Sequence, residues 1–215
     1  MIELNHVKVV YPTGDGVEDI TFRVAPGEMV FLVGPSGAGK STVLKAIYLE
    51  EKPVEGYVLI GEYDSRSIKD KEIPFLRRKL GVIFQDFKLL HDRDVFRNVS
   101  FVLEVTGRRS KDIKRRVLRA LAEVGLSHKS RTDPYGLSGG GQQRVAIARA
   151  IVNEPYVLLA DEPTGNLDPV TSEEIMEVLT RINARGTSIL MATHNEELVR
   201  KYKGRVVRIR NGRLE

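Results

Sequence analysis

A glycine-rich segment that follows an apolar run constrains this chain more than any other feature. Residues 34–42 read GPSGAGKST and come directly after Met29–Val33. The segment fits the pattern G-x-x-x-x-G-K-[ST], whose backbone N–H groups point inward at the positive end of the next helix. We predict a polyphosphate-binding loop in which Lys40 reaches the terminal phosphates and Ser41 is a ligand of Mg²⁺. The other residues of the loop are Gly34, Pro35, Ser36, Gly37, Ala38, Gly39 and Thr42.

Length and composition narrow the class of protein. A chain of 215 residues with 41% hydrophobic residues can bury a substantial core, and we expect one domain over residues 1–215. Cysteine is absent, which excludes a disulfide framework and a thiolate metal site. The chain does not open on a signal-peptide pattern, and no apolar run approaches the roughly 18 residues of a membrane span. We therefore expect neither signal-peptide secretion nor membrane insertion.

The excess positive charge has two interpretations. The net charge of +5 comes from 34 basic and 29 acidic residues, and part of it lies in three clusters, at 77–79, 108–109 and 114–116. Such clusters could face nucleic acid or an anionic membrane surface, or they could be ordinary solvated helix faces. Charge alone does not decide between them.

Strand-like and helix-like segments alternate along most of the chain, which predicts an α/β fold. A mostly parallel core sheet should carry ligand groups at the carboxyl ends of its strands. We expect an antiparallel β part at the N-terminus and an inserted helical subdomain at approximately 87–153. The predicted strands are 2–10, 18–24, 29–33, 56–60, 81–84, 157–160 and 188–192, and the predicted helices outside the insertion are 42–49, 73–79 and 172–183.

Two adjacent carboxylates follow the buried run 157–160. An Asp at the end of an apolar strand is the residue with which phosphate-loop enzymes hold Mg²⁺, so we assign that role to Asp161. Glu162 points another way from the strand end and can act on the water that attacks the γ-phosphate, as general base or orienting group.

A second potential anion site lies at residues 137–144, which read LSGGGQQR and open another helix. Serine and glycines expose backbone N–H groups at a positive helix end. One nucleotide does not need two such ends. The segment is either a glycine-rich helix cap, or it contacts the nucleotide of a neighbouring copy.

The chain resembles the nucleotide-binding subunits of ATP-binding cassette (ABC) systems, because five motifs occur in the same order. They are GPSGAGKST, Gln85 after a strand, LSGGGQQR, LLADEPTGNLD and His194 after a strand. The resemblance covers nearly the whole chain. It implies an Mg-ATP hydrolase in which Ser138, Gly139 and Gly140 contact the ATP held by the other subunit of a head-to-tail homodimer. It also implies that Tyr11 stacks on adenine, Gln85 contacts Mg²⁺ and the attacking water, Asp168 makes a dimer contact and His194 contacts the γ-phosphate. One departure is Gly141, where the family usually has Glu or Gln.

Within the family, residues 72–90 and 160–168 resemble the cell-division branch. This implies an FtsX-like membrane-spanning partner, a peripheral position on the cytoplasmic face of the inner membrane, and signalling to cell-wall hydrolases. The segment DEPTGNLD is shared with lipoprotein-release and macrolide-export ATPases, which remain alternatives. A soluble ABC ATPase acting on nucleic acid or ribosomes would need a long coiled coil or a second cassette, and the chain has neither. A third alternative is a regulatory scaffold that binds ATP but hardly hydrolyses it. Such proteins commonly lack the catalytic carboxylate, so the presence of Glu162 argues against this class.

The segment after Gln85 has apolar residues among polar ones. The apolar residues are Phe87, Leu89 and Leu90, and their polar neighbours are Asp86, Lys88 and His91. The resemblance places a groove for the membrane subunit here, and we expect these three side chains to form an exposed dock for a partner helix. The alternative is that they only fill the joint between the nucleotide core and the helical subdomain.

Overall fold

The computed structural model describes residues 2–215. Its strands are β1 (Ile2–Val10), β2 (Gly16–Val24), β3 (Met29–Val33), β4 (Glu55–Ile60), β5 (Tyr63–Asp64), β6 (Leu80–Ile83), β7 (Val157–Asp161), β8 (Ser188–Thr193), β9 (Arg205–Arg210) and β10 (Arg213–Leu214). Its α-helices are α1 (Lys40–Ile47), α2 (Ile73–Arg77), α3 (Val95–Val105), α4 (Ser110–Glu123), α5 (Gly139–Ile151), α6 (Pro169–Ala184) and α7 (Glu196–Lys201).

The strands form two sheets. Four of them make an antiparallel sheet in the order β2-β1-β4-β5, and six make a second sheet in the order β10-β9-β3-β8-β7-β6. In the six-stranded sheet every pair from β9 to β6 is parallel, and only β10 is antiparallel to its neighbour. The carboxyl ends of β3, β6, β7 and β8 therefore meet at one edge of that sheet, where we expect ligand groups.

The core lies on both faces of the six-stranded sheet, which explains the uninterrupted apolar runs. In β3, Phe31 belongs to the hydrophobic cluster that includes residues of α3 to α6, whereas its neighbours Val30 and Leu32 belong to the cluster that includes α1 and the antiparallel sheet. All five residues of β3 and all six of β8 are buried. A parallel strand covered on both faces needs apolar side chains at every position rather than at alternate ones.

The expected fold class is confirmed, with an antiparallel N-terminal sheet, a mostly parallel core sheet and helices between residues 95 and 151. The predicted bounds of β3 are confirmed as well. The sequence interpretation gave no element after residue 194, whereas the structure has α7, β9 and β10 there. The boundaries of the helical subdomain at 87 and 153 stay a prediction. Over residues 2–215, no helix combines the length and apolar character that crossing a membrane requires.

Candidate nucleotide-binding and catalytic site

The loop of residues 34–39 joins β3 to α1 at the ligand edge of the six-stranded sheet. Gly39 has a φ of 102°, and a Cβ atom there would lie 2.4 Å from Cγ1 of Val17. Gly34 is as tightly placed, since its Cβ would lie 2.2 Å from the carbonyl oxygen of Ile209. Backbone conformation requires glycine at residue 39, and close packing requires it at both residues 34 and 39. The helix α1 begins at Lys40, whereas the sequence predicts a start at Thr42.

Lys40 bridges the loop and the end of β7. Its Nζ donates hydrogen bonds to the carbonyl oxygens of Gly34 at 2.7 Å and Pro35 at 2.9 Å. The same atom lies 3.2 Å from Oε1 of Glu162. The Lys40 side chain is only 6% exposed, so this ion pair is shielded from solvent. The ammonium group is therefore fixed beside the backbone that the sequence assigns to phosphate.

Glu162 is held between two side chains. One carboxylate oxygen faces Lys40, and the other, Oε2, lies 3.0 Å from Nδ1 of His194. The Glu162 side chain is 10% exposed and the His194 side chain 58% exposed. The backbone of Glu162 has a φ of 46° and its N–H donates to the carbonyl oxygen of Ala192 at 3.0 Å. Unusual backbone geometry of this kind is enriched at functional sites.

The carboxylate of Asp161 is the feature that indicates an Mg²⁺ site. Its Oδ1 atom is buried without a hydrogen-bond partner among residues 2–215. Burial raises the pKa of this carboxyl, a hydrogen bond with Ser41 lowers it, and the nearby charge of Glu162 raises it further. An unpartnered buried carboxylate oxygen beside a hydroxyl group suits a hard, oxygen-preferring cation such as Mg²⁺. The residues present therefore fit the metal ion that the sequence predicts.

Gln85 lies near Asp161. The two residues line one recess together with Asn166, whose Nδ2 donates to the carbonyl oxygen of Gln85 at 3.3 Å. The Gln85 side chain is exposed. Its Nε2 lies near Gly165, since a Cβ atom built on Gly165 would be 3.7 Å from it, an ordinary contact distance. The structure thus brings the amide of Gln85 to the same strand ends as both carboxylates.

Tyr11 lies on the other side of the loop. Its hydroxyl oxygen is 3.4 Å from Oγ1 of Thr42, and its ring is half-buried. A recess of about 760 Å³ nearby is lined by Gly37 of the loop and by residues 14–18 and 211–213. Tyr11 is therefore placed beside the loop, as a residue that stacks on a base would be.

Ser138, by contrast, lies apart from the loop. Its Oγ caps α5 by accepting from the N–H of Gly141 at 3.3 Å, so the cap forms without a side chain at residue 141. A Cβ at Gly141 would lie 2.9 Å from Cβ of Leu137. Ser138 and Gly139 are exposed, and within residues 2–215 no hydrogen bond links them to residues 34–42. Their N–H groups are free to contact something outside this chain.

Asp168 occupies a similar position at the start of α6. Its side chain accepts from the N–H of Thr171 at 3.0 Å and from its hydroxyl at 2.5 Å. These hydrogen bonds hold the pKa of the exposed Asp168 carboxyl below its usual value. The residue caps its own helix, and its role in a dimer contact stays a prediction.

Three polar residues that the sequence interpretation did not single out connect these segments. Gln143 is fully buried in α5, and its Nε2 donates to the carbonyl oxygen of Pro163 at 2.7 Å. Arg149 donates to the backbone carbonyl oxygens of Phe87 and Lys88. Asn98, also fully buried, bonds both backbone groups of Leu90. The first two tie α5 to the turn that follows Glu162 and to the segment after Gln85. A polar residue inside an apolar helical stripe was the available signal for Gln143.

The segment after Gln85 corrects one expectation. Leu89 is 6% exposed and belongs to the core, so it is not part of an exposed dock. Phe87 and Leu90 are half-buried, and Phe87 packs against the core. The physical reason is the backbone, because consecutive positive φ angles at Phe87 and Lys88 turn the chain inward. A groove of about 400 Å³ instead runs along the edge strand β6, between α2 and α3.

Comparison with known proteins gives consistent matches. The family model described as ABC transporter matches residues 17–165. The cell division ATP-binding protein FtsE of Bacillus subtilis is 57% identical over 213 residues, which cover 99% of this chain and 93% of that protein. A dimeric post-hydrolysis structure of the ATP-binding cassette MJ0796 bound to ADP and Pi superposes with a TM-score of 0.89 at 35% identity, covering 100% of this chain and 97% of the other. Clostridium perfringens cbiO1, part of the ABC transporter complex cbiONQ, gives a TM-score of 0.91 at 32% identity, covering 100% and 86%.

Proposed function

This chain belongs to the ABC transporter family as an ATPase cassette, and from that premise we propose that it is the ATP-hydrolysing subunit of a bacterial membrane complex in cell division. The observation that carries the catalytic part is the meeting of Lys40, Glu162 and His194 at the ends of parallel strands. The cell-division part rests on full-length similarity to FtsE proteins.

In the proposed reaction, backbone N–H groups of residues 36–41 bind the phosphates of ATP and Lys40 neutralises charge on the γ-phosphate. Glu162 accepts a proton from the attacking water or orients it, and His194 holds the carboxylate and contacts the γ-phosphate. Ser41, Asp161 and Gln85 would hold Mg²⁺, which supplies charge neutralisation on the phosphate oxygens. The side chain of Tyr11 stacks on the adenine.

The exposed Ser138 and Gly139 support a two-site arrangement. We expect two chains to pair head to tail in the ATP-bound state, so that Ser138, Gly139 and Gly140 of one chain contact the nucleotide on residues 34–42 of its partner. The N-terminus of α5, with its outward N–H groups, suits an incoming phosphate. Asp168 would lie at the contact between the two chains. The dimeric cassette that this chain resembles is a precedent for pairing.

The same proposal includes a peripheral position for this chain on the cytoplasmic face of the inner membrane, where it binds an FtsX-like membrane-spanning partner. The groove beside β6 is its proposed dock, since the groove opens next to the backbone that Arg149 holds at Phe87 and Lys88. A partner helix there would receive movement from Gln85 and pass it towards cell-wall hydrolases. Lipoprotein-release and macrolide-export complexes remain the second candidates, because DEPTGNLD is common to all three.

Purification of the tagged chain from solubilised membranes tests the proposal. We expect mass spectrometry to identify one FtsX-like protein in equal molar amount, and Glu162→Gln to retain it while losing ATP hydrolysis. An export or lipoprotein-release permease in its place would assign the chain to the second candidates. Recovery without any membrane protein would contradict the complex.

A further inference from the structure

A basic recess lies away from the nucleotide site, at the opposite end of strands β6 and β7. Lys79 directly precedes β6 and Tyr156 directly precedes β7, whereas Asp161 ends β7. The recess has a volume of about 690 Å³, and its lining includes Phe75, Arg78, Lys79, Arg108 and Tyr156. It adjoins the groove beside β6, because Arg78 and Thr106 line both.

Large apolar side chains are unusually exposed around this recess. Phe75 is 52% exposed, Tyr156 is 56% exposed, and Val105 of the adjoining groove is 57% exposed. Of the nine large exposed hydrophobic residues described in residues 2–215, two thus line this recess and a third lines the adjoining groove. Scattered single residues of this kind need no explanation, but a group at one recess indicates an interaction surface.

The charge of the recess is positive and largely unpaired. Within the described part of the chain, Arg78, Lys79 and Arg108 form no ion pair with a carboxylate. Arg116 and Arg119 both approach Glu154, at 2.9 and 3.7 Å. Three cations and two carboxylates, Glu62 and Glu154, line the recess, and Glu154 is already paired with these two arginines from outside the lining. Its occupant should therefore be anionic.

The arrangement of the rings distinguishes between anionic occupants. The guanidinium carbon of Arg78 lies 4.9 Å from the ring centre of Phe75, and Nζ of Lys79 lies 5.2 Å from that of Tyr156. A face of each ring is thus covered by a cation and is not open for stacking on a nucleic-acid base. Cations interleaved with half-exposed aromatic and aliphatic side chains suit the headgroup region of a bilayer, where rings enter the interface and cations meet phosphate.

We propose that this recess binds the anionic headgroups of the membrane that carries the partner, as a contact separate from the protein–protein dock. The inference rests on the proposed membrane complex. Its position agrees with that role, since the groove beside β6 and the recess adjoin and would face the bilayer together. Because the nucleotide site lies at the opposite strand ends, lipid contact leaves ATP access open.

Vesicle co-sedimentation of the purified chain, without its partner, tests the proposal. We expect binding to vesicles with 30% phosphatidylglycerol, weak binding to pure phosphatidylcholine, and decline with added salt. Each cation near such a surface changes binding about fivefold, so the triple variant Arg78→Gln/Lys79→Gln/Arg108→Gln should bind roughly 100-fold more weakly. The matched control is Lys129→Gln/Arg181→Gln/Lys203→Gln, which removes three exposed cations elsewhere. Phe75→Ser should weaken binding without changing its salt dependence.

Several outcomes would overturn the assignment. Equal losses in the two triple variants would show a diffuse effect of net charge, and equal binding to both vesicle types would exclude headgroup recognition. Tight binding of a single-stranded oligonucleotide that only the recess variant loses would identify a nucleic-acid surface instead. Membrane purification separates the two proposals: an FtsX-like partner recovered without vesicle binding refutes the recess alone, and vesicle binding without a partner refutes the complex alone.

Discussion

Replacing Gly140 by alanine tests how α5 is seated against α6. A Cβ atom at residue 140 would lie 2.4 Å from Cγ2 of Thr171, whereas carbon atoms in contact normally lie about 3.5–4.0 Å apart. Rotation of Thr171 cannot relieve the clash cheaply, because its hydroxyl donates to Asp168 at 2.5 Å. The start of α5 must therefore move by about 1 Å, and overpacking of this kind costs about 1–3 kcal/mol.

The helix preference of alanine offsets up to about 1 kcal/mol of this cost. We expect a net fall in melting temperature of a few degrees, since 1 kcal/mol corresponds to about 2–4 °C in a chain of this size. ATP turnover should fall by more than the small loss of stability explains, because Ser138 moves with the start of α5. Calorimetry and a phosphate-release assay on the same samples measure both effects.

Thr171→Ser supplies the matched control, because it removes Cγ2 and keeps the hydroxyl that bonds Asp168. In that background the nearest contacts of the new Cβ are the Cβ and Oγ1 atoms of residue 171, at 3.8 and 3.9 Å, which are ordinary. Gly140→Ala should then be neutral or slightly stabilising, and turnover should recover. Equal losses in both backgrounds would refute the steric argument.

Three further predictions use other contacts. Lys40→Ala should abolish ATP turnover while the chain stays folded, because the γ-phosphate loses its cation; near-normal ATP affinity and turnover in a folded variant would remove Lys40 from the mechanism. Gln143→Met should lower the free energy of unfolding by about 1–3 kcal/mol, since the buried carbonyl of Pro163 loses its donor, and should reduce kcat more than it raises KM; unchanged urea denaturation and kcat would contradict the link. Leu89→Ser should lower the free energy of unfolding by about 2–5 kcal/mol, whereas Val105→Ser, at an exposed position in the groove beside β6, should mainly reduce recovery of the membrane partner; unchanged recovery with Val105→Ser would remove this groove as the dock.

Local chemistry made the nucleotide end of the fold predictable. Continuous apolar runs identified β3 and β8, because parallel strands are buried on both faces. The loop pattern located Lys40 at the junction of β3 and α1. The start of α6 was missed by three residues, although Asp168 and Pro169 carry the signals of a helix cap and first position. The strand β9 was missed because only one of its six residues is buried, which leaves no apolar pattern.

Tertiary contacts explain what the sequence could not supply. The burial of Leu89 depends on the backbone turn at Phe87 and Lys88, where neither residue type favours a positive φ. The ion pair of Lys40 with Glu162 joins residues 122 positions apart, and only the sheet order brings them together. The bond from Gln143 to Pro163 likewise needs the packing of α5 against β6 and α6.

The central claim is that Ser138 of one chain completes the nucleotide site of another, and Glu162→Gln tests it most directly. The amide keeps the shape of the carboxylate but lacks its basicity, so ATP should bind without being hydrolysed. Light scattering at saturating Mg-ATP should show a dimer, and adding Ser138→Arg should return the protein to monomer by placing bulk and charge in the partner's phosphate site. A Glu162→Gln protein that binds ATP yet stays monomeric at high concentration, or a dimer that Ser138→Arg leaves intact, would contradict the shared site.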